Sequence, residues 1–125
     1  MPPHYLTDLF METIIRMLPE FEHSAKAMAK KYKSFVQDYK IFIESLKTAP
    51  KQGKSLGGGV YKIRIPISSK TKGKSGGARI LTYTVNKVST DMFIVVLMSI
   101  YDKSEMENVS DAYLKNILKE AKRLA

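Results

Sequence analysis

The sequence predicts an α+β fold: a small, twisted, mainly antiparallel sheet with a helical hairpin packed on one face and a further helix at the C-terminus. Two neighbouring stretches with helical periodicity, residues 20–32 and 35–46, predict the hairpin. Three later segments with strand-like patterns and short links predict an antiparallel meander. The predicted order is β-α-α-β-β-β-α, and a length of 125 residues predicts one domain spanning 1–125.

The N-terminal part of the chain begins with a short predicted strand. Residues 13–18 are mostly apolar and partly β-branched, and they stop at Pro19, which favours a strand over a helix. In residues 20–32, apolar side chains recur every three or four positions, with lysines around the other side. The same periodicity returns in residues 35–46, and Pro50 ends it. We expect both amphipathic helices to serve as scaffold.

Residues 60–67 have the most regular strand pattern in the chain. Isoleucines at every second position alternate with Lys62 and Arg64. Because successive side chains of a strand point to opposite faces, the isoleucines are expected in the core and the two cations on the opposite face. Residues 51–59, just before this strand, are rich in glycine and are predicted to be a loop.

Two more strands and a helix complete the predicted fold. We predict a strand over residues 79–85, a connector over residues 86–90, and a strand over residues 92–99, which is apolar except for Ser99 and is therefore expected to be central. A polar turn follows Tyr101. Ser110 is the expected N-cap of a last amphipathic helix.

The positive charge is concentrated in the middle of the sequence. The net charge is +9, and residues 45–90 contain ten basic residues and no acidic one. Such a block attracts polyanions, so nucleic acid is the favoured partner, with an acidic protein or an anionic membrane surface as the competing interpretation. Within it, residues 70–79 form a basic glycine-rich loop, which suits either phosphate binding or a solvated hairpin loop.

Several kinds of chemistry are disfavoured by composition. The chain has no cysteine, and its only histidines, His4 and His23, lie far from the basic block. The Gly-Lys-Ser at 73–75 lacks the preceding glycine and the following helix of a nucleotide-binding loop. The acidic residues around 102–107 fit a polar turn, so we expect no metal and no cofactor. No apolar segment is long enough to span a membrane, and the N-terminus is unlike a signal peptide, so we expect a cytoplasmic protein.

The chemistry that remains is metal-free cleavage of RNA by its own ribose 2′-OH. Fixed cations would stabilise the charge that develops on the phosphate. Lys62, Arg64 and Arg79 come from adjacent predicted strands, and Lys103 lies just beyond the third. These residues are therefore candidates for a common site on one face of the sheet.

Five features in sequence order resemble the RelE/HigB family of type II toxin–antitoxin toxins. They are residues 21–32, the pair Pro50 and Gly53, and residues 60–64, 72–79 and 100–104. The resemblance implies a compact fold with two helices on a small twisted sheet. It also implies an mRNA interferase, a hydrolase that cuts mRNA in the ribosomal A site and arrests growth. The implied partners are the ribosome, mRNA and a cognate antitoxin, expected to be a helix–turn–helix protein.

The resemblance also assigns roles to individual residues. The family's basic pair falls on Lys62 and Arg64, its phosphate-binding arginine on Arg79, and the basic residue after the last strand on Lys103. The family's usual C-terminal tyrosine, its general base, has no counterpart. This leaves Tyr101 or a lysine with a lowered pKa as the base. We further expect four lysines to contact the RNA backbone: Lys54, Lys70, Lys72 and Lys74.

Two other functions are compatible with the same fold. One is a ParE-like toxin that inhibits DNA gyrase by protein contact and needs no phosphate clamp. The other is a catalytically inactive module that binds RNA or the antitoxin, which the absent tyrosine favours. Residues 1–12 have no counterpart in the family and are either an N-terminal extension or a mis-assigned start.

Overall fold

A computed structural model of the chain describes residues 12–70 and 76–125, and these residues adopt the predicted α+β architecture. Its elements are β1 (Glu12–Met17), α1 (Pro19–Lys31), α2 (Phe35–Thr48), β2 (Lys54–Gly57), β3 (Val60–Ile65), β4 (Ala78–Lys87), a 3₁₀ turn (Val88–Thr90), β5 (Met92–Asp102) and α3 (Asp111–Leu124).

The five strands form one mixed sheet in the order β1-β5-β4-β3-β2. β1 pairs with β5 in parallel, whereas the other neighbouring strands are antiparallel. The sheet is therefore mainly antiparallel, as predicted, and β5 lies inside it. Within the described part of the chain, no helix has the length and apolar character of a membrane span.

The prediction that residues 51–59 form only a loop is wrong, because Lys54–Gly57 is an edge strand paired with β3. Every residue of β2 is exposed. The strand therefore has no alternation of buried apolar and exposed polar residues, which is the pattern by which a strand is predicted from sequence. The three glycines at 57–59 all have positive φ, which glycine adopts without steric cost, and they turn the chain into β3. The observed order is accordingly β-α-α-β-β-β-β-α.

The helices cover both faces of the sheet. The hairpin of α1 and α2 packs on one face, as predicted, and α3 packs on the other. Ser110 caps α3 by accepting a hydrogen bond from the Tyr113 backbone N–H at 3.1 Å, as predicted. Sheet side chains in the hairpin-side core are Ile63, Ile65, Ala78, Ile80, Val95, Leu97 and Ile100. Those in the α3-side core are Val60, Leu81, Ile94, Val96 and Met98.

A β-bulge reverses the facing of the last residues of β5. Leu81 pairs with Ser99 and Thr82 with Leu97, so Met98 is the extra residue on its strand. Met98 faces α3, yet Ile100 packs in the hairpin-side core. Strict alternation after Met98 would place Ile100 on the α3 side and Tyr101 on the hairpin side. The bulge reverses both positions and so brings Tyr101 to the α3 side.

Candidate functional site

Three side chains lie in a row across β3, β4 and β5 on the α3 side of the sheet. Arg64 pairs with Arg79, and Arg79 pairs with Tyr101. Directly opposed residues on neighbouring strands have their Cβ atoms about 5 Å apart, so the three side chains are neighbours. We call Arg64, Arg79 and Tyr101 the Arg–Arg–Tyr row.

Arg79 is a buried cation at the centre of this row. Its residue is only 5% exposed, and its guanidinium donates a hydrogen bond to the Ala78 carbonyl at 3.3 Å. Neither it nor Arg64 has a carboxylate partner among residues 12–70 and 76–125. Burial, and then the charge of Arg64, lower the pKa of Arg79. A buried guanidinium without a counterion is costly, and a bound anion would remove that cost.

Tyr101 places a buried hydroxyl at the end of the row. The residue is 7% exposed, and its hydroxyl has no hydrogen-bond partner among the described residues. Burial raises the pKa of Tyr101, and the charge of Arg79 opposes this only in part. The phenol is therefore protonated near neutral pH and is available as a hydrogen-bond donor.

Lys62 lies beside the row, opposite Leu81 on β4. Its Nζ donates a hydrogen bond to Oδ1 of Asn108 at 2.6 Å. Burial lowers the pKa of Lys62, and the neighbouring positive charges lower it further. Those charges belong to Lys103, Arg79 and Lys54.

Lys103 and Lys54 complete this cationic surface. The Lys103 backbone N–H donates to the Gly77 carbonyl at 3.1 Å, and its Nζ lies 3.7 Å from a carboxylate oxygen of Glu107. Lys54 is exposed on the edge strand and pairs with Lys62. Six residues predicted from the sequence are thus brought together on one side of the sheet: Lys54, Lys62, Arg64, Arg79, Tyr101 and Lys103.

Lys70 is placed differently from the other predicted RNA-binding residues. Its side chain is 10% exposed, and its Nζ lies 2.6 Å from Oδ1 of Asp102. It also donates to the Gly76 carbonyl and lies 5.1 Å above the centre of the Tyr32 ring. Because its ammonium is engaged inside the protein, we propose no RNA contact for it. The predicted contacts of Lys72 and Lys74 lie outside the described residues.

The sequence did not predict that the Asp102 side chain helps to hold the residues around the site in place. Asp102 is 3% exposed and receives hydrogen bonds from Lys70, Tyr32, and the backbone and hydroxyl of Ser104. Burial alone would raise the pKa of Asp102, but these hydrogen bonds outweigh it and hold the pKa well below its usual range. The only signal in the sequence was an aspartate directly after an apolar strand.

A second buried carboxylate anchors the segment that leads into residues 71–75. Asp38 of α2 accepts hydrogen bonds from the Ser68 backbone and hydroxyl at 2.9 and 2.6 Å, and from the Ser34 hydroxyl at 2.8 Å. Burial raises the pKa of Asp38, but these hydrogen bonds lower it by more. Residues 68–70, at the start of the basic loop, are therefore fixed to the core through Asp38 and Asp102, and Lys70 also binds the carbonyl of Gly76.

The arrangement suits binding and stabilising an anionic group. It offers a buried guanidinium, an exposed one, three lysines and a protonated phenol on one surface. Among the described residues, no group of three or more histidine, aspartate or glutamate side chains is placed to hold a metal ion. A family model described as the RelE toxin of the RelE/RelB toxin–antitoxin system matches residues 23–125, which include every residue of this surface.

Proposed function

The chain belongs to the RelE family of toxins from toxin–antitoxin systems, and from that premise we propose that it is a ribosome-dependent endoribonuclease that cuts mRNA in the A site. We propose further that a cognate antitoxin, a helix–turn–helix protein, neutralises it in the cytoplasm. The matched family and the cationic surface on the α3 side of the sheet support this assignment. The family alone supports a toxin, and the surface is what favours RNA as its target.

The observation that carries the proposal is the placement of Arg79 between Arg64 and Tyr101. Arg79 is 5% exposed and has no carboxylate partner in the described part of the chain. A guanidinium binds a phosphate through two parallel hydrogen bonds, which fixes the position of the phosphorus atom. An inhibitor that acts only by protein contact has no need of a buried, unpaired arginine.

The proposed reaction is transesterification at one phosphodiester. The ribose 2′-oxygen forms a bond to the adjacent phosphorus while the bond from phosphorus to the 5′-oxygen of the next nucleotide breaks. The products are a 2′,3′-cyclic phosphate and a 5′-hydroxyl. Arg79 and Arg64 bind the non-bridging oxygens, on which negative charge grows in the transition state, and Lys103 adds to the positive potential.

Lys62 and Tyr101 are suited to the two proton transfers. A lowered pKa increases the share of Lys62 that is a neutral amine, which can accept the proton of the 2′-hydroxyl. Tyr101, whose pKa is raised, is suited to donate a proton to the leaving 5′-oxygen. Of the two bases that the sequence left open, the directions of the two pKa shifts support the lysine.

The proposal is tested with purified protein, ribosomes and a defined mRNA, with cuts mapped by primer extension. We expect cleavage within the A-site codon, and a single 2′-deoxyribose at the cut position should abolish it. Cleavage that persists at the 2′-deoxy position would contradict the transesterification step.

The same preparation separates the alternative functions. Uncut mRNA together with relaxed plasmid DNA in a gyrase assay would identify a gyrase inhibitor. Ribosome binding without cuts would identify an inactive RNA-binding module. Either result would overturn the proposed activity.

A further inference from the structure

A cavity of about 350 Å³ opens next to the Arg–Arg–Tyr row. We call it the Tyr101 pocket. It lies between α1, the end of β5 and the segment that leads into α3. Its walls include Ser24, Ser99, Tyr101, Met106, Asn108 and Tyr113.

Two side chains connect this pocket with the cationic surface. Tyr101 belongs both to the pocket wall and to the row, and its hydroxyl is buried without a hydrogen-bond partner among the described residues. Asn108 also lines the pocket, and its Oδ1 accepts the hydrogen bond from Lys62 at 2.6 Å. A ligand held by the arginines would therefore have the pocket within reach of its neighbouring groups.

The lining selects a neutral, flat and partly polar ligand. None of the described residues that line the pocket is a lysine, arginine, aspartate or glutamate. Two tyrosines and the thioether of Met106 offer apolar contact, while the Asn108 amide offers hydrogen bonds. The volume lies within the range of small-molecule sites, so a nucleobase fits without difficulty.

We propose that the Tyr101 pocket binds an unstacked nucleobase of the RNA, from a nucleotide flanking the phosphate held by Arg64 and Arg79. This inference rests on the proposed function. A neutral pocket beside an anion-binding row matches the alternation of neutral base and anionic phosphate along a single strand. The Asn108 amide is then the group that meets the base edge, and it makes this pocket a determinant of nucleotide preference.

The test measures the affinity of the full-length protein for short single-stranded RNAs that cannot be cut. Each RNA has a 2′-deoxyribose at the cleavage position, and in one series each flanking residue in turn is abasic. Base stacking on aromatic side chains is worth enough that the wild type should lose about 10-fold in affinity when the base in the pocket is removed.

Three variants make the result specific. Ser24→Leu adds a larger side chain to the α1 wall of the pocket and takes up its space, so it should bind the intact and abasic RNAs equally. Ser55→Leu makes the same chemical change on the exposed edge strand β2, and it should discriminate as the wild type does. Arg79→Ala removes the phosphate contact and should weaken both RNAs by a similar factor.

Three outcomes would overturn the inference. If the wild type binds intact and abasic RNAs equally while Arg79→Ala weakens both, the pocket holds no base, although the proposed function stands. If Ser24→Leu still binds the intact RNA more tightly than the abasic RNA, the base lies outside the Tyr101 pocket. If Arg79→Ala binds RNA as tightly as the wild type, the proposed function fails, and the inference fails with it. Thermal unfolding of each variant shows whether it is folded.

Discussion

At the scale of single residues, Lys62 and Tyr101 are the informative pair because the fold shifts their pKa values in opposite directions. Burial and three neighbouring cations lower the pKa of Lys62, whereas burial raises that of Tyr101. The sequence predicted both positions as site residues. It did not predict which would accept a proton, because pKa shifts depend on burial and on neighbours that come from distant parts of the chain.

The cleavage rate is predicted to rise with pH through the lowered pKa of Lys62, since only the neutral amine accepts a proton. In Lys62→Arg the charge is kept, but a guanidinium stays protonated over the whole accessible range. We expect this variant to lose the pH-dependent rise and to cleave about 100-fold more slowly. Single-turnover cleavage measured across pH checks the prediction.

Lys47→Arg, a matched change on the surface of α2, should keep the wild-type pH profile. A Lys62→Arg variant with an unchanged profile would exclude Lys62 as the base and return the role to another group.

At the scale of elements, the basic loop and the end of β5 are held together by the Lys70–Asp102 ion pair. The pair is almost fully buried, and Tyr32, the residue directly after α1, joins it through the same carboxylate. Losing one member of a buried ion pair leaves the other charge uncompensated. We therefore expect Asp102→Asn to lower the free energy of unfolding by about 3 kcal/mol at pH 7, measured by urea denaturation.

The pH dependence of this effect has a definite sign. The folded state holds the pKa of Asp102 well below the value of about 3.9 of an unfolded chain. Its contribution to stability is therefore fully present above pH 5 and is lost as the pH falls below about 4. The difference in free energy of unfolding between the wild type and Asp102→Asn should therefore decrease as the pH falls below about 4. Asp91→Asn, an exposed position with φ of 52° that asparagine tolerates, should show no such difference.

Gly77, directly before β4, allows the backbone there to pass close to the end of β3. A Cβ at this position would overlap the carbonyl oxygen of Ile65. Gly77→Ala should therefore destabilise the protein by more than about 2 kcal/mol. Gly58→Ala is the control, since no heavy atom lies within 4 Å of its Cβ and only the φ of +60° opposes it, at a cost of about 1 kcal/mol. Equal thermal stability of the two variants would contradict this account of Gly77.

The elements differ in how far the sequence could predict them. Alternation in residues 60–67 predicted that Lys62 and Arg64 share a face, and the register confirms that they do. The same rule fails in β5, because the bulge at Met98 reverses the facing of Tyr101. A bulge depends on pairing between strands, which single-strand periodicity does not contain. The exposed strand β2 was missed for a related reason, since pairing alone defines it.

At the scale of the whole molecule, the net charge of +9 predicts binding that depends strongly on salt. Each cation that neutralises a phosphate of single-stranded RNA contributes about 0.7 to the slope of log affinity against log salt concentration. Lys54→Met on the cationic surface should lower the slope by about that amount. Lys26→Met, which removes a lysine paired with Glu22 at 3.4 Å on α1, should leave it unchanged.

Equal slopes for these two variants would mean that RNA is not bound on the α3 side of the sheet. The sequence located the basic block, but it did not show that Lys70 is used internally. That distinction depends on Asp102, which lies 32 residues further along the chain.

The central claim is that the Arg–Arg–Tyr row is the site of RNA cleavage, and the most direct test is the single-turnover cleavage rate of Arg79→Ala on programmed ribosomes. Loss of a fixed cation at a developing oxyanion should slow cleavage by about 100-fold or more. Arg123→Ala, which removes an exposed arginine from the last turn of α3, should cleave like the wild type. A folded Arg79→Ala variant that cleaves at the wild-type rate would contradict the claim.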